Sequence, residues 1–249
     1  MNKILPCVAT MLMALLSPKV LAGEFSVSPV RLDLGGVARS QLLSITNAGT
    51  VPARFLVRGA AWTMTEAGAV ELSDDDKLIV FPASFTVAPK ASQNIRVGTD
   101  QRSGETEKTW RVLLEELPDA NAAGSPGATI NVLSVISVPV FMPPLKPRKA
   151  MEISWLGQEG ASARIALVND GNAHEMVAAV SVTAMRGEDT ALQAQQEGWY
   201  ILPGKRRVYA LAGERNWCAS GVTRFELRAT DRQGETLARR TVDAREACR

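Results

Sequence analysis

Histidine occurs once in the 249 residues, at position 174, and cysteine three times, at positions 7, 218 and 248. One imidazole excludes a multi-histidine metal centre, and without a Cys-x-x-Cys spacing the thiols offer no zinc site. The same scarcity leaves a nucleophilic triad with His174 as its only base, and such chemistry needs a base oriented by a third group. No Gly-x-Ser-x-Gly elbow, P-loop or dinucleotide fingerprint is present, so no cofactor is expected. Net charge is scarce as well. A formal charge of +2 gives no field of one sign to draw nucleic acid or an anionic membrane. Aromatic residues make up 5% of the chain and do not interleave with the basic clusters KPRK (146–149), KRR (205–207) and RR (239–240), which read as solvated surface.

The acidic residues do not assemble chemistry either. SDDDK (73–77) lacks the spacing of an EF-hand loop and reads as a solvated turn before the strand LIVF. Glu115 and Glu116 are adjacent on an expected strand, where successive side chains point to opposite faces, so they cannot act together on one bond. His174 lies in VNDGNAHEMV, where NDG and GN signal a surface turn between two apolar runs.

The chain opens MNKILPCVATMLMALLSPKVLAGEF: a basic start, a short apolar run broken by Pro6 and Pro18, then small residues at Val20 and Ala22. This pattern predicts a cleaved signal peptide over 1–22 and a soluble exported product without stable membrane insertion. Cys7 leaves with that segment, and the even pair Cys218 and Cys248 predicts a disulfide. Closing a loop of about 30 residues contributes roughly 3 kcal/mol on the chain-entropy account.

From residue 25 onward, short β-branched runs with period-two alternation recur about every ten residues, separated by Gly, Pro, Asn and Asp, the spacing of an antiparallel sandwich. FSVSPVRLDL, QLLSITN, ARFLVRGAAW, LIVFPASFTV, QNIRVGT, TWRVLLEEL and the run ending VISVPVFM supply one set of strands. MEISWL, ARIALVND, VAAVSVTAM, RVYALA, TRFELRAT and LARRTVDA supply a second. PPLKPRK between them is a stiff junction, because each proline ring fixes φ and disfavours helix. The expected organisation is all-β, with domains at 23–147 and 148–249. EMVAAVSVTAM fits a strand or a helix by periodicity alone.

The run ATINVLSVISVPVFMPP (128–144) is apolar on both faces. Ile130, Val132, Ser134, Ile136, Val138 and Val140 share one face, and Leu133, Val135 and Phe141 the other. As one strand it would extend about 45 Å, more than twice the usual length, and one small core cannot cover all of it. The preceding NAAGSPG (121–127) has the composition of a loop that stays unstructured until something docks on it.

FSVSPVRLDL, KTWRVLLEELP, VISVPVFMPP, VNDGNAH and GWYILPGKRR, in this order, resemble the periplasmic PapD-like chaperones of the chaperone-usher pathway, which assemble fimbriae or pili in Gram-negative bacteria. The resemblance implies two immunoglobulin-like sandwiches in an L shape, periplasmic localisation, and no enzymatic activity. Pilin subunits and an outer-membrane usher are the implied partners. The subunit would be held by donor-strand complementation, with Ile130, Val132, Ser134, Ile136 and Val138 filling its groove. An unoccupied donor edge would also be open to self-association. The subunit's terminal carboxylate would be anchored by basic residues in the cleft. Arg31 matches the first. Where the family carries a lysine on the donor strand this chain has Pro139, so Arg111 is the expected partner cation, a guanidinium fork suiting a carboxylate. The departure at Pro139 resembles the archaic or alternative branch. The competing reading, a structural or adhesive fimbrial subunit, would place a donor extension near the mature N-terminus rather than inside the chain.

Overall fold

The computed structural model describes residues 25–35, 39–118, 132–214, 216–219 and 221–249. The expected signal peptide (1–22), the loop 121–127 and Ile130 lie outside the described residues.

The first sandwich faces a four-stranded sheet, in the order β1 (Phe25–Ser28), β3 (Ser40–Asn47), β8 (Ser92–Gly98), β6 (Ile79–Phe81), against a six-stranded one. The latter runs β2 (Leu32–Asp33), β10 (Val135–Met142), β9 (Lys108–Leu117), β4 (Ala53–Met64), β5 (Val70–Asp74), with β7 (Ser84–Val87) pairing β4. The alternation read from the sequence is what packs the two layers: Phe55 and Val57 of β4, Val112 and Leu114 of β9, and Ile45, Ile95 and Val97 from the facing sheet are all buried. Each such side chain contributes about 1.5–3 kcal/mol of transfer free energy. Gly59 on β4 has no room for a side chain, since a Cβ there would stand 2.9 Å from Leu78.

The second sandwich is built from β11 (Met151–Glu159), β12 (Ser162–Asn169) and β17 (Arg206–Ala212) facing β15 (Asp189–Glu197), β14 (Ala179–Arg186), β18 (Arg224–Thr230) and β19 (Thr236–Asp243). A small ribbon of β13 (Glu175–Met176) and β16 (Tyr200–Ile201) accompanies it. The ambiguous EMVAAVSVTAM is thus two strands. One short helix, α1 (Ala244–Ala247), follows β19 and leads into the predicted disulfide, Cys218–Cys248, with Cα atoms 5.7 Å apart.

A third apolar cluster, Trp62, Met64, Phe141, Tyr200 and Leu202, joins the sandwiches. Polar contacts surround it. Asn172 donates its amide to the carbonyls of Glu105 (2.6 Å) and Lys146 (3.0 Å), while its own carbonyl accepts from the Glu107 backbone N–H. Glu107 is buried and accepts the backbone N–H of His174 at 2.7 Å, with the imidazole Nδ1 2.9 Å from its carboxylate. The imidazole stacks on Phe141, centroids 3.8 Å apart. VNDGNAH is therefore not the surface turn its glycine and asparagines signal, because Glu107 and Phe141 of the other sandwich cover His174. On the other flank, the turn after β4 docks on β17: the Glu66 carbonyl accepts the Val208 N–H at 2.7 Å, and Gly68, at φ +86°, lies against the Arg207 guanidinium.

Candidate functional site: an open strand edge beside two arginines

β10 carries the site. Along its whole length it pairs antiparallel with β9, from Val135 opposite Glu115 to Met142 opposite Lys108. Its other edge meets β2 only at Val140 and Phe141, in parallel register with Leu32 and Asp33. Among the described residues, the backbone from Val135 to Pro139 has no strand on that side. Such an edge presents unpaired peptide groups and invites another strand.

The strand is shorter than the sequence suggests, and its faces are divided differently. Val138 and Val140 are 2% and 0% exposed within the N-terminal core, and Ile136 packs against the same cluster. Val138 and Ile136, expected in a partner's groove, thus pack against their own sandwich in the empty chain. Ser134 is half-buried and pinned by Glu116, its N–H donating to the Glu116 carboxylate and its carbonyl accepting the Glu116 N–H, both at 2.9 Å. Val132 continues the core-facing parity past the edge of the sandwich, and it is 87% exposed. On the opposite parity Val135 and Leu133 are exposed.

The two predicted cations flank this strand. Arg111 is the cross-strand partner of Pro139 on β9, and Arg31 immediately precedes Leu32, the β2 partner of Val140. Both face away from the core, toward the junction aromatics: the Arg111 guanidinium lies 4.1 Å over the Trp62 ring and that of Arg31 5.7 Å over Phe141, and those two rings are 5.6 Å apart. Their electrostatics differ. Arg31 is exposed and paired with Asp33 at 2.9 Å. Burial opposes its charge, but the Asp33 bond and charge, helped by Tyr200, hold its pKa above the ordinary arginine value. Arg111 is 6% exposed; its Nη1 bonds Ser137 Oγ at 3.1 Å, and its Nε has no partner among the described residues. Burial lowers its pKa, only partly countered by Tyr200, and no carboxylate among the described residues neutralises it. Arginine remains protonated even so, and Arg111 is therefore a desolvated cation without a counter-ion among the described residues.

The remaining candidates stand apart from this site. Glu115 pairs with Arg58 at 2.9 Å and Glu116 with Ser134. Asp75 of the acidic turn accepts the Trp110 indole N–H at 2.8 Å and caps the Lys77 N–H. Among the described residues no cluster of acidic, histidine and cysteine side chains could hold a metal ion, and no helix is long and apolar enough to cross a membrane.

A family profile for the N-terminal domain of PapD, described as a pili and flagellar-assembly chaperone, matches residues 24–147. No curated protein matches the chain in sequence. Solved structures match the fold at low identity. One is a chain of the CsuC–CsuE chaperone–tip adhesion subunit pre-assembly complex, from archaic chaperone-usher Csu pili of Acinetobacter baumannii. It aligns with a TM-score of 0.57 at 14% identity over 89% of this chain and 98% of its own. The YadV chaperone gives 0.56 at 11% over 89% and 100%. A chain from the complex of the Salmonella enterica SafA pilin with the SafB chaperone gives 0.53 at 14% over 88% and 95%. With two complete sandwiches and its open edge inside the chain, the alternative of a fimbrial subunit is not favoured. The chain belongs to the PapD-like pilus-assembly chaperones, a family of non-enzymatic proteins.

Proposed function

We propose that this chaperone holds a pilin subunit by lending it the chain around Val132–Pro139 as a missing strand, and that Arg31 and Arg111 clamp the subunit's terminal carboxylate. The observation that carries this reading is that, among the described residues, the edge from Val135 to Pro139 is open and the buried guanidinium beside it is uncompensated. A guest strand gains backbone hydrogen bonds from that edge, and its groove takes Val132, with Ile130 and Ser134 as the flanking positions of the same parity. Arg111 supplies the charge that Pro139 cannot. A carboxylate reaching it replaces an uncompensated buried charge with a charge-assisted bond in a site of low dielectric.

The setting is the periplasm, reached by cleavage after residue 22, with 23–147 as the strand-lending domain and 148–249 as the second wall of the cleft. An outer-membrane usher receives the loaded complex. The proline at 139 favours the archaic or alternative branch, and the empty edge can pair with another copy of the chaperone.

The test is co-purification from periplasm followed by mass spectrometry of whatever travels with the protein. The expected companion is a small β-rich subunit, lost when Arg31→Ala and Arg111→Ala are combined, while circular dichroism of the variant stays unchanged. Undiminished recovery of the complex by the double variant would remove the carboxylate clamp.

A further inference from the structure

We infer that Tyr200 is a third ligand of the guest's terminal carboxylate, its hydroxyl donating to a carboxylate held by Arg31 and Arg111, so that the C-terminal sandwich contributes directly to the clamp. This rests on the terminal-carboxylate clamp proposed above and adds to it a neutral donor from the facing wall of the cleft.

Packing places the residue. Tyr200 lies on β16, opposite Met176 of β13, is 8% exposed, and lines the same opening as Arg31. Its ring stands edge-on to that of Trp62 at 5.8 Å and 5.3 Å from that of Phe141. Those are the two rings that carry the guanidinia, Arg111 over Trp62 and Arg31 over Phe141. Trp62 and Phe141 are themselves 5.6 Å apart, so the three rings form a triangle, and Tyr200 is its corner from the C-terminal sandwich.

The electrostatics of the two arginines agree with this placement. Together with Asp33, the phenol favours the charged form of Arg31, and at Arg111 it is the group that opposes the effect of burial. A purely apolar role does not account for the hydroxyl. The cluster of Trp62, Met64, Phe141 and Leu202 would pack a phenylalanine as well, and a tyrosine hydroxyl in such surroundings ordinarily has a hydrogen-bond partner. A guanidinium can only donate, so toward Arg31 and Arg111 the phenol oxygen is an acceptor and its own proton is left to give. Among the described residues that proton has no acceptor. A carboxylate between the guanidinia has lone pairs to spare and supplies one. The clamp then closes fully only while the two sandwiches keep their angle, because its third donor stands on the far wall.

The experiment uses the full mature chaperone and labelled eight-residue peptides with alternating apolar side chains, made with a free and with an amidated C-terminus. Tyr200→Phe keeps the ring and removes only the hydroxyl. Anisotropy titrations should show the free-carboxylate peptide losing about tenfold in affinity in this variant, the size of one hydrogen bond to a charged group, with the amidated peptide little affected. In the Arg31→Ala background, Tyr200→Phe should still lower the preference for the free over the amidated peptide. No effect there would mean that Tyr200 only positions Arg31, and an equal loss for both peptides would mean that it only packs; either overturns the inference. If Tyr200→Phe changes nothing while Arg31→Ala combined with Arg111→Ala abolishes the preference, the two-arginine clamp stands and the third ligand falls. If the native protein shows no preference for the free carboxylate, or binds no peptide at millimolar concentration, the clamp falls and its third ligand with it.

Discussion

At the scale of single residues, the proposed clamp would set stability against function at Arg111. A buried guanidinium with no counter-ion among the described residues costs the empty chaperone free energy, and well-packed apolar replacements of buried charges are stabilising by about 1–4 kcal/mol in other proteins. Arg111→Met is therefore expected to raise the melting temperature of the N-terminal sandwich while it weakens guest capture. Calorimetry of the empty protein, set beside complex recovery, checks both halves, and a fall in melting temperature would recast Arg111 as a purely structural residue. The identity of this residue as a candidate was legible in TWRV; its desolvation was not, because that follows from Trp62 on the neighbouring strand β4, next along the same face from Ala60, the cross-strand partner of Arg111. Two asparagines escaped notice altogether. Asn47 and Asn169, each fully buried, close the same motif in the two sandwiches: the Oδ1 of each accepts the N–H of the glycine two residues on, and the Nδ2 donates to a carbonyl four residues on and to a second one across the sandwich. The shared Asn-x-Gly in NAGT and NDGN was the available signal, and it read only as turn chemistry.

At the scale of elements, one face of β10 runs from the sandwich core into the segment proposed as donor. Val138→Asp buries an unpaired carboxylate and should unfold the N-terminal sandwich, costing about 4 kcal/mol or more. Val132→Asp meets only solvent, so its effect on stability should stay within about 0.5 kcal/mol while it removes guest binding. Denaturant melts and periplasmic co-purification of the two variants distinguish these outcomes; equal destabilisation by both would mean that the strand is sealed in its own domain. Periodicity foresaw the parity of this face, and the burial of Val138 and Val140, with Ile136 packed at its margin, fixes where the domain's share of it ends. No periodicity in one chain can mark that point, since donor and core positions read alike. β15 was missed for the opposite reason: DTALQAQQE is an exposed edge strand with too few apolar residues to register. The polar runs that do pair were invisible for want of burial.

At the scale of the whole molecule, the cleft depends on the angle between two sandwiches, and that angle is held at two places. Glu66 and Gly68 grip β17 on one flank, and Glu107 grips His174 on the other. Glu107→Ala leaves the His174 N–H and imidazole without their partner in a buried joint, a loss of about 1–3 kcal/mol. Small-angle scattering of the variant should show a broadened distribution of interdomain distances with each sandwich still folded; an unchanged scattering profile would mean the apolar cluster around Phe141 suffices alone. The junction was the least legible part of the sequence. Trp62, Phe141, Tyr200 and His174 come from four separated segments, and only the meeting of the two domains makes them neighbours.

That aromatic meeting point has a practical side. An indole 4.1 Å beneath a guanidinium senses the local electric field, and an anion arriving at Arg111 alters that field at once. Emission from Trp62 should consequently follow cargo uptake and release in real time, making the unlabelled protein its own optical gauge.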